Sequence, residues 1–203
     1  MVQFIKHRIN KIDELNDINP EWGVEIDLRS NPSNDRSIYL HHDPWQKGDS
    51  FSDWLDRFNE LGISGPIILN TKEDGLEESI LGTLREKKVS DYFFLDTAFP
   101  TLIHWSLKKN IHDFAIRVST FEDGDFALKH KDKIDWIWVD CFDCEVLSAE
   151  HIEKHFKGIK KCLVSPELQN FSLDCIGKFS DLANVCDAIC TKAPGAWSGI
   201  IQR

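Results

Sequence analysis

Short apolar runs alternate with longer amphipathic stretches along almost the whole chain. Eight runs rich in β-branched and aromatic residues predict strands at 2–8, 23–29, 65–71, 91–96, 113–119, 135–140, 160–165 and 187–191. Apolar residues at helical spacing predict helices at 51–61, 76–88, 100–109, 121–132, 148–157 and 173–184, and a short one at 10–18. Eight strands in βα order favour an α/β fold, a compact TIM-like (β/α)8 barrel. Residues 1–203 would form this single domain with short loops, because such barrels usually take about 250 residues.

Local signals refine the ends of these elements. Ser50 and Ser148 are predicted N-caps, and Gly62 and Gly158 are predicted helix stops. Segment 37–43 reads as a strand that pairs back on the second strand after the turn-rich segment 31–35. The tail 194–199 reads as a loop with no eighth helix, so a homo-oligomer whose partner subunit seals that end of the barrel is one expectation.

Composition excludes some partners. The formal net charge of −10 argues against a nucleic-acid surface, since phosphate binding needs clustered Lys and Arg. No apolar run reaches about 18 residues, so no membrane span is expected, and the N-terminus carries no export signal pattern, so we expect a cytoplasmic protein. Six cysteines lie in the last third of the chain; Cys141 and Cys144 have metal-knuckle spacing but lack a matching second pair. We therefore expect all six to be reduced.

An acid pair on the second predicted strand carries the strongest chemical signal. Period-2 alternation places the apolar residues of 23–28 on one face and both Glu25 and Asp27 on the other. Two neighbouring carboxylates repel each other, and a hard divalent cation with oxygen ligands would offset that repulsion. His7 precedes the pair and His42 follows it, so the two imidazoles could act as general acid and general base. The pattern favours metal-assisted chemistry on a phosphate ester.

Further polar residues mark the ends of the predicted strands, where a barrel carries its chemistry. The candidate substrate contacts are Arg8, Lys72, Asp96, Arg117, Asp140, Glu167 and Lys192. For Arg117, Asp140, Glu167 and Lys192, internal ion pairs at the barrel mouth are an equal alternative. His41, beside His42 on the predicted strand, would face the opposite way and is taken as structural.

The order of these motifs resembles the glycerophosphodiester phosphodiesterase family, in a superfamily that includes sphingomyelinase D and the phosphatidylinositol-specific phospholipases C. The resemblance rests on His7-Arg8, Glu25-Ile26-Asp27, His42-Asp43 and Asn70-Thr71-Lys72, and it covers residues 7–72. It implies a β/α barrel, a Mg²⁺ or Ca²⁺ ion and two catalytic histidines that cleave a phosphodiester. By the same resemblance, His7 and His42 match the histidines, and Glu25 and Asp27 match the metal carboxylates.

The chain departs from that family in three places. Ile9 stands where the family usually has a glycine, and Asn70 stands where it has a third metal carboxylate. An amide oxygen can ligate a cation but brings no charge, so we expect weaker binding, unless Asp96 supplies the missing carboxylate. Only 28 positions separate His42 from Asn70, which leaves no room for the small inserted domain of many relatives.

The sequence thus predicts a metal-dependent phosphodiesterase with Glu25, Asp27 and Asn70 as ligands. The expected substrate is a small phosphodiester linked to glycerol or a sugar. Two alternatives stay open: a sugar-phosphate lyase or isomerase on the same barrel, and a non-catalytic binding barrel with a degenerate site.

Overall fold

The computed structural model describes residues 2–31 and 37–201. The eight predicted strands are all present, and two short strands follow the second one. In chain order the strands are β1 (Gln3–Lys6), β2 (Gly23–Ser30), β3 (Ile38–Leu40), β4 (Asp49–Ser50), β5 (Ile67–Thr71), β6 (Tyr92–Leu95), β7 (Ala115–Val118), β8 (Trp136–Val139), β9 (Lys160–Val164) and β10 (Ala188–Thr191). The α-helices are α1 (Phe51–Glu60), α2 (Glu77–Glu86), α3 (Phe99–Lys109), α4 (Gly124–Lys129), α5 (Ala149–His155), α6 (Ser180–Asn184) and α7 (Pro194–Trp197).

The parallel strands pair in a circuit that leads back to its start. β1 pairs with β2 and β10, β2 with β5, β5 with β6, and β7 to β10 pair in chain order. β6 meets the residue just before β7 at one parallel bridge between Phe94 and Phe114, where the Phe94 N–H donates to the Asp113 carbonyl at 2.7 Å. The predicted α/β fold, with a parallel sheet and alternating strands and helices, is therefore confirmed, and within the described residues a single bridge links β6 to the segment that leads into β7.

Two apolar layers explain why the strands alternate as they do. One layer lies between the sheet and the helices and includes Val24, Ile26 and Leu28. The other fills the space that the strands enclose; it contains Ile5, Ile68, Phe93, Leu95, Trp136, Trp138, Cys162, Val164, Ala188 and Cys190. Because side chains alternate along a strand, Glu25 and Asp27 share the parity of this inner layer and not that of the helix-facing layer.

A short hairpin is added beside β2. β3 pairs antiparallel with β2, with Leu40 opposite Leu28, and β4 pairs with β3. The predicted strand at 37–43 thus exists, but it ends at Leu40, so His41 and His42 follow the strand and do not belong to it. Of the predicted turn at 31–35, positions 32–35 lie outside the described residues.

Most predicted helix ends are found where the sequence places them. The hydroxyl of Ser50 accepts a hydrogen bond from the Asp53 N–H at 3.4 Å, and that of Ser148 accepts from the His151 N–H at 3.2 Å. Gly62 and Gly158 have φ angles of 66° and 86°, the left-handed conformation that favours glycine after a helix. The predicted helix at 173–184 divides into a 3-10 segment, Leu173–Phe179, followed by α6. The predicted helix at 10–18 is a 3-10 helix over Ile12–Asp17.

The tail is the main error of the sequence-based assignment. Residues 194–199 were expected to form a loop, but Pro194–Trp197 form the short helix α7. Trp197 is completely buried, and its indole N–H donates to the Ser165 hydroxyl at 2.9 Å. Burial of a large aromatic side chain with its polar atom satisfied stabilises a turn that lacks helical periodicity of its own. Among the described helices, none is both long and apolar enough to cross a membrane.

Candidate active site

Strand register brings Glu25, Asp27 and Asn70 to one place inside the sheet. Asp27 on β2 lies opposite Asn70 on β5, and Glu25 lies two positions earlier on β2. The side chains of Glu25 and Asp27 are 1% and 0% exposed, and Asn70 is also buried. Period-2 alternation therefore predicted which residues converge, and the parallel pairing supplies the convergence.

Glu25 is surrounded by hydrogen-bond donors but by little positive charge. The Arg8 N–H donates to one carboxylate oxygen at 2.8 Å, and the Asn70 amide donates to the other at 3.0 Å. His7 Nε2 lies 3.7 Å from the carboxylate. Burial, reinforced by the negative charge of Asp27, raises the pKa of Glu25 to about 7. Glu25 is thus the costly member of the acid pair when no cation is bound.

Asp27 has the opposite electrostatic situation. Lys72 Nζ lies 2.9 Å from Oδ1, and Arg8 Nε lies 3.7 Å from Oδ2. The Asn10 amide donates to Oδ2 at 2.7 Å. Burial opposes ionisation, but Lys72 and the hydrogen bond from Asn10 outweigh it and lower the pKa of Asp27. Sequence reasoning missed Asn10, because it lies in an irregular segment between β1 and the first 3-10 helix.

Ile9 replaces the family glycine without backbone strain at its own position. The left-handed conformation lies one residue earlier, at Arg8, whose φ is 57°. Ile9 is buried in the layer between sheet and helices, and its N–H donates to the Glu25 carbonyl at 2.9 Å. A glycine is therefore not required at this position.

His7 is held in its neutral form. Burial, together with the nearby charges of Arg8, Lys192 and Lys72, lowers the pKa of His7 to about 3, and the opposing effect of Asp27 is smaller. Its Nδ1 is buried without a hydrogen-bond partner among the described residues. A neutral imidazole can accept a proton but has none to give as an imidazolium.

His41 and His42 differ in their partners. The His42 Nδ1 lies 2.8 Å from the Asp43 carboxylate, its ring is 42% exposed, and its carbonyl accepts from Arg29 at 2.8 Å. The His41 N–H donates to the Asp27 carbonyl at 3.1 Å, and its ring Nδ1 accepts from the Asp43 N–H at 2.9 Å. The sequence analysis assigned different roles to His41 and His42 because they would lie on opposite faces of a strand; that reason is wrong, since neither lies in a strand. The different roles rest instead on the different contacts of the two rings.

Arg117 lies at the centre of a charged group at the sheet's carboxyl edge. It forms an ion pair with Asp96 and lies 3.5 Å from Asp140 and 3.9 Å from Glu122. Its guanidinium also lies over the Phe142 ring, 5.3 Å from the centroid. The carboxylate of Asp96 is thus paired with Arg117, and no contact links it to Glu25 or Asp27 within the described ranges.

Asp140 and Glu167 direct their oxygens to internal partners. Asp140 accepts from the Trp138 indole, the Cys141 N–H and the Gln169 amide at 3.2, 2.8 and 2.7 Å. Glu167 accepts from the Thr191 hydroxyl at 2.5 Å, the Lys192 N–H at 3.0 Å and the Ser165 hydroxyl. Asp140, 3.5 Å from Arg117, thus belongs to an internal ion pair, whereas Glu167 makes hydrogen bonds but no ion pair with the described residues.

Lys192 remains available for a ligand. The backbone N–H of Lys192 donates to Glu167, but the exposed ammonium group of Lys192 makes no hydrogen bond or ion pair with the residues that the structure describes. It is close enough to His7 to lower the pKa of that imidazole. Together with Arg8 and Lys72 it gives this end of the sheet three cations beside two buried carboxylates.

The acid pair and Asn70 fit a hard cation, with one weakness. The Asn70 Oδ1 is buried and accepts no hydrogen bond from any described residue, so an amide oxygen is free to ligate. No three His, Cys, Asp or Glu side chains converge in a metal-binding group anywhere in 2–31 and 37–201. The third ligand would therefore have to be Asn70, and two charges rather than three would hold the ion.

Comparison with known proteins finds likeness in structure alone. No family model matches the chain, and no curated protein matches its sequence. A Galdieria sulphuraria protein assigned as a glycerophosphodiester phosphodiesterase has a TM-score of 0.73 at 14% identity, with 98% of this chain and 97% of that one covered. A Parabacteroides distasonis glycerophosphoryl diester phosphodiesterase has a TM-score of 0.63 at 13% identity, with 100% and 88% covered.

A third solved structure has a known ligand. It is an Oleispira antarctica phosphodiesterase in complex with the product sn-glycerol-3-phosphate, with a TM-score of 0.61 at 15% identity and coverage of 95% and 93%. These likenesses extend over nearly the full length of both chains. The chain therefore has the fold of the glycerophosphodiester phosphodiesterases, as the sequence motifs led us to expect.

Proposed function

We propose that this protein is a metal-dependent phosphodiesterase that hydrolyses a small phosphodiester linked to glycerol or a sugar. One observation carries the proposal: two buried carboxylates, Glu25 and Asp27, lie together at the sheet's carboxyl edge with Arg8, Lys72 and Lys192 around them. Burying two neighbouring acids lowers the stability of the fold, and such destabilising groups are found mainly in active sites. The fold shared with glycerophosphodiester phosphodiesterases supports the same reaction class.

Glu25, Asp27 and the amide oxygen of Asn70 would hold the divalent cation, Mg²⁺ or Ca²⁺. When bound, such an ion supplies Lewis-acid stabilisation of charge on phosphoryl oxygens. The raised pKa of Glu25 supports this role, because a cation beside the carboxylate would favour its ionised form.

The three cations would bind the negatively charged phosphodiester. Lys72 is 16% exposed and Arg8 is 40% exposed, so the first reaches the buried acids while the second also faces the opening. Lys192 has an ammonium group near His7 that pairs with none of the residues in 2–31 and 37–201. Ammonium and guanidinium groups at such positions hold phosphate oxygens as charge-assisted hydrogen-bond donors.

The two histidines would divide the proton transfers between them. His7, kept neutral by burial and neighbouring cations, would accept the proton of the attacking hydroxyl or water. A bound phosphodiester anion would offset those cations and raise the basicity of His7 at the moment it is needed. His42, whose Nδ1 is held by the Asp43 carboxylate, would give a proton to the leaving alkoxide.

The proposed substrate class rests on the charge of the site and on one structural neighbour. The product sn-glycerol-3-phosphate occupies the Oleispira antarctica phosphodiesterase of the same fold. We propose that a glycerol or sugar phosphodiester binds here with its phosphate among Arg8, Lys72 and Lys192.

Adjacent histidines provide the test. His42→Ala should lower the turnover of sn-glycero-3-phosphoethanolamine by about 10²–10⁴-fold, the usual contribution of a general acid or base. His41→Ala is the matched control, and it should retain turnover within a few-fold because its ring bonds only the loop backbone. His7→Ala should lose as much turnover as His42→Ala. A variant with both His7 and His42 replaced by Ala that cleaves the diester as fast as the wild type would contradict this division of roles.

A further inference from the structure

The backbone ladder between β1 and β2 continues beyond the end of β1. The two strands pair at Ile5–Gly23 and Lys6–Val24, and the Ile9 N–H then donates to the Glu25 carbonyl at 2.9 Å. In a regular parallel ladder, the next bond would run from the Asp27 N–H to the carbonyl of Ile9. That bond is absent, because the Ile9 carbonyl accepts instead from the Trp54 indole at 3.0 Å.

The side chain of Asn10 takes the place of the missing peptide group. Its Oδ1 accepts from the Asp27 N–H at 2.8 Å, which satisfies the donor that the ladder leaves open. Its Nδ2 donates to Asp27 Oδ2 at 2.7 Å, a bond that no backbone carbonyl could make. One carboxamide thus fixes both the backbone and the carboxylate of the same residue.

The chemistry of these two bonds selects asparagine. One atom of the side chain must accept and a second must donate, and both must lie on a short stem close to the backbone. Aspartate could accept from the Asp27 N–H but would set a second negative charge against the carboxylate. Alanine would leave a buried N–H without a partner, which costs roughly 1–3 kcal/mol by general experience.

We propose that Asn10 is a positioning residue that holds the Asp27 carboxylate in the orientation required for cation binding and turnover. The inference rests on the proposed function, since it gives Asp27 its role as a ligand. Arg8 Nε and Lys72 Nζ also touch Asp27, but both are flexible cations. Asn10 is the contact that ties the carboxylate to the strand from which it projects.

The test compares Asn10→Ala with Asn16→Ala. Asn16 is a matched control: it is exposed on the next 3-10 helix, and its carboxamide also donates one hydrogen bond, to the Asp13 carbonyl, and accepts one, from Arg57, but neither bond involves the acid pair. Calorimetric titration of each full-length variant with Mg²⁺ should show affinity weakened about 10–100-fold for Asn10→Ala, the usual effect of removing a group that orients a ligand. Asn16→Ala should bind Mg²⁺ as the wild type does.

Kinetics and hydrogen exchange separate positioning from general stability. With sn-glycero-3-phosphoethanolamine at saturating Mg²⁺, Asn10→Ala should lower kcat more than it raises KM, because no substrate contact is removed. The Asp27 amide proton should exchange faster in Asn10→Ala and unchanged in Asn16→Ala. Should Asn10→Ala fail to fold, Asn10→Ser keeps a smaller polar group at the position and should show the same changes at lower amplitude.

The outcomes distinguish two failures. A folded Asn10→Ala protein with wild-type Mg²⁺ affinity and kcat would overturn the role of Asn10 alone. A wild-type protein that neither binds Mg²⁺ nor cleaves the diester would overturn the proposed function, and the role of Asn10 with it.

Discussion

Glu25 is a residue whose burial works against the stability of the metal-free fold. Its pKa rises from 4.5 to about 7, because burial and Asp27 disfavour the charged form. The unfolded chain therefore ionises at a lower pH than the folded one. The resulting loss of stability is absent below about pH 4.5 and grows until the pH passes the pKa of Glu25 in the folded protein, about 7.

Glu25→Gln should accordingly stabilise the protein in the presence of a chelator at pH 8, by roughly 1–3 kcal/mol. At pH 5 the two proteins should differ much less, because the folded side chain is protonated there and pH 5 lies only just above the ordinary pKa of 4.5 that applies to the unfolded chain. Urea unfolding at the two pH values measures the difference. An equal stability difference at pH 5 and pH 8 would show that packing, and not the charge of Glu25, causes the difference between the two proteins.

Individual residues also show where sequence reasoning stops. Alternation and strand order were enough to bring Glu25, Asp27 and Asn70 together, because both follow from short-range rules. Asn10 could not be found in that way, since its role depends on a carbonyl that turns away towards Trp54. The sequence also leaves open whether Asp140 and Glu167 contact a ligand or internal partners, because that depends on the geometry of the loops after the strands.

At the scale of elements, the strands were predicted well and the pieces between them less so. Strong apolar runs determined all eight parallel strands to within a few residues. The predicted helix at 121–132 is shorter, with α4 over Gly124–Lys129 and a 3-10 turn over Lys131–Lys133. Weak helical periodicity allows tertiary contacts to decide such segments, as the burial of Trp197 decides α7.

The start of β2 gives a prediction at this scale. A Cβ on Gly23 would lie 2.4 Å from the Pro66 carbonyl oxygen, whereas a Cβ on Gly82 within α2 would meet nothing within 4 Å. Gly23→Ala should therefore push β2 away from the chain before β5 and destabilise the fold by about 1–3 kcal/mol. Gly82→Ala, the control, should stabilise it by about 0.5–1 kcal/mol through helix propensity.

Thermal or urea unfolding of both variants provides the measurement. A Gly23→Ala protein as stable as the wild type would mean that the close approach of β2 and residue 66 is not required.

At the scale of the whole molecule, the reactivity of the cysteine thiols depends on how deeply the fold buries them. Cys141, Cys162, Cys186 and Cys190 are buried, whereas Cys144 and Cys175 are partly exposed. Burial raises the pKa of Cys141 and Cys186 to about 12 and that of Cys162 and Cys190 well above the usual value. A thiol must ionise to react, so these four should be inert in the folded protein.

A thiol reagent at pH 8 should therefore label Cys144 and Cys175 first and the remaining four only after denaturation. The denatured protein, prepared without reductant and protected from air, should count six thiols in total. A count of four or fewer would mean that some of these cysteines form disulfides in the native protein.

The two buried layers of the fold differ in composition. The layer between sheet and helices is mostly apolar, while the enclosed layer gives way to charged groups at the carboxyl edge of the strands. That edge holds Glu25, Asp27 and the cations around them. Stability is thus concentrated away from the end where the chemistry is proposed.

The most direct measurement is cation-dependent hydrolysis of sn-glycero-3-phosphoethanolamine by the purified full-length chain. The site predicts hydrolysis to sn-glycerol-3-phosphate and ethanolamine, or to glycerol and phosphoethanolamine, in the presence of Mg²⁺ or Ca²⁺. This activity should be abolished by a chelator, restored by added cation and lost in Asp27→Asn. Hydrolysis that continues undiminished in excess chelator, or no hydrolysis with either cation, would contradict the central claim that Glu25, Asp27 and Asn70 form the metal site of a phosphodiesterase.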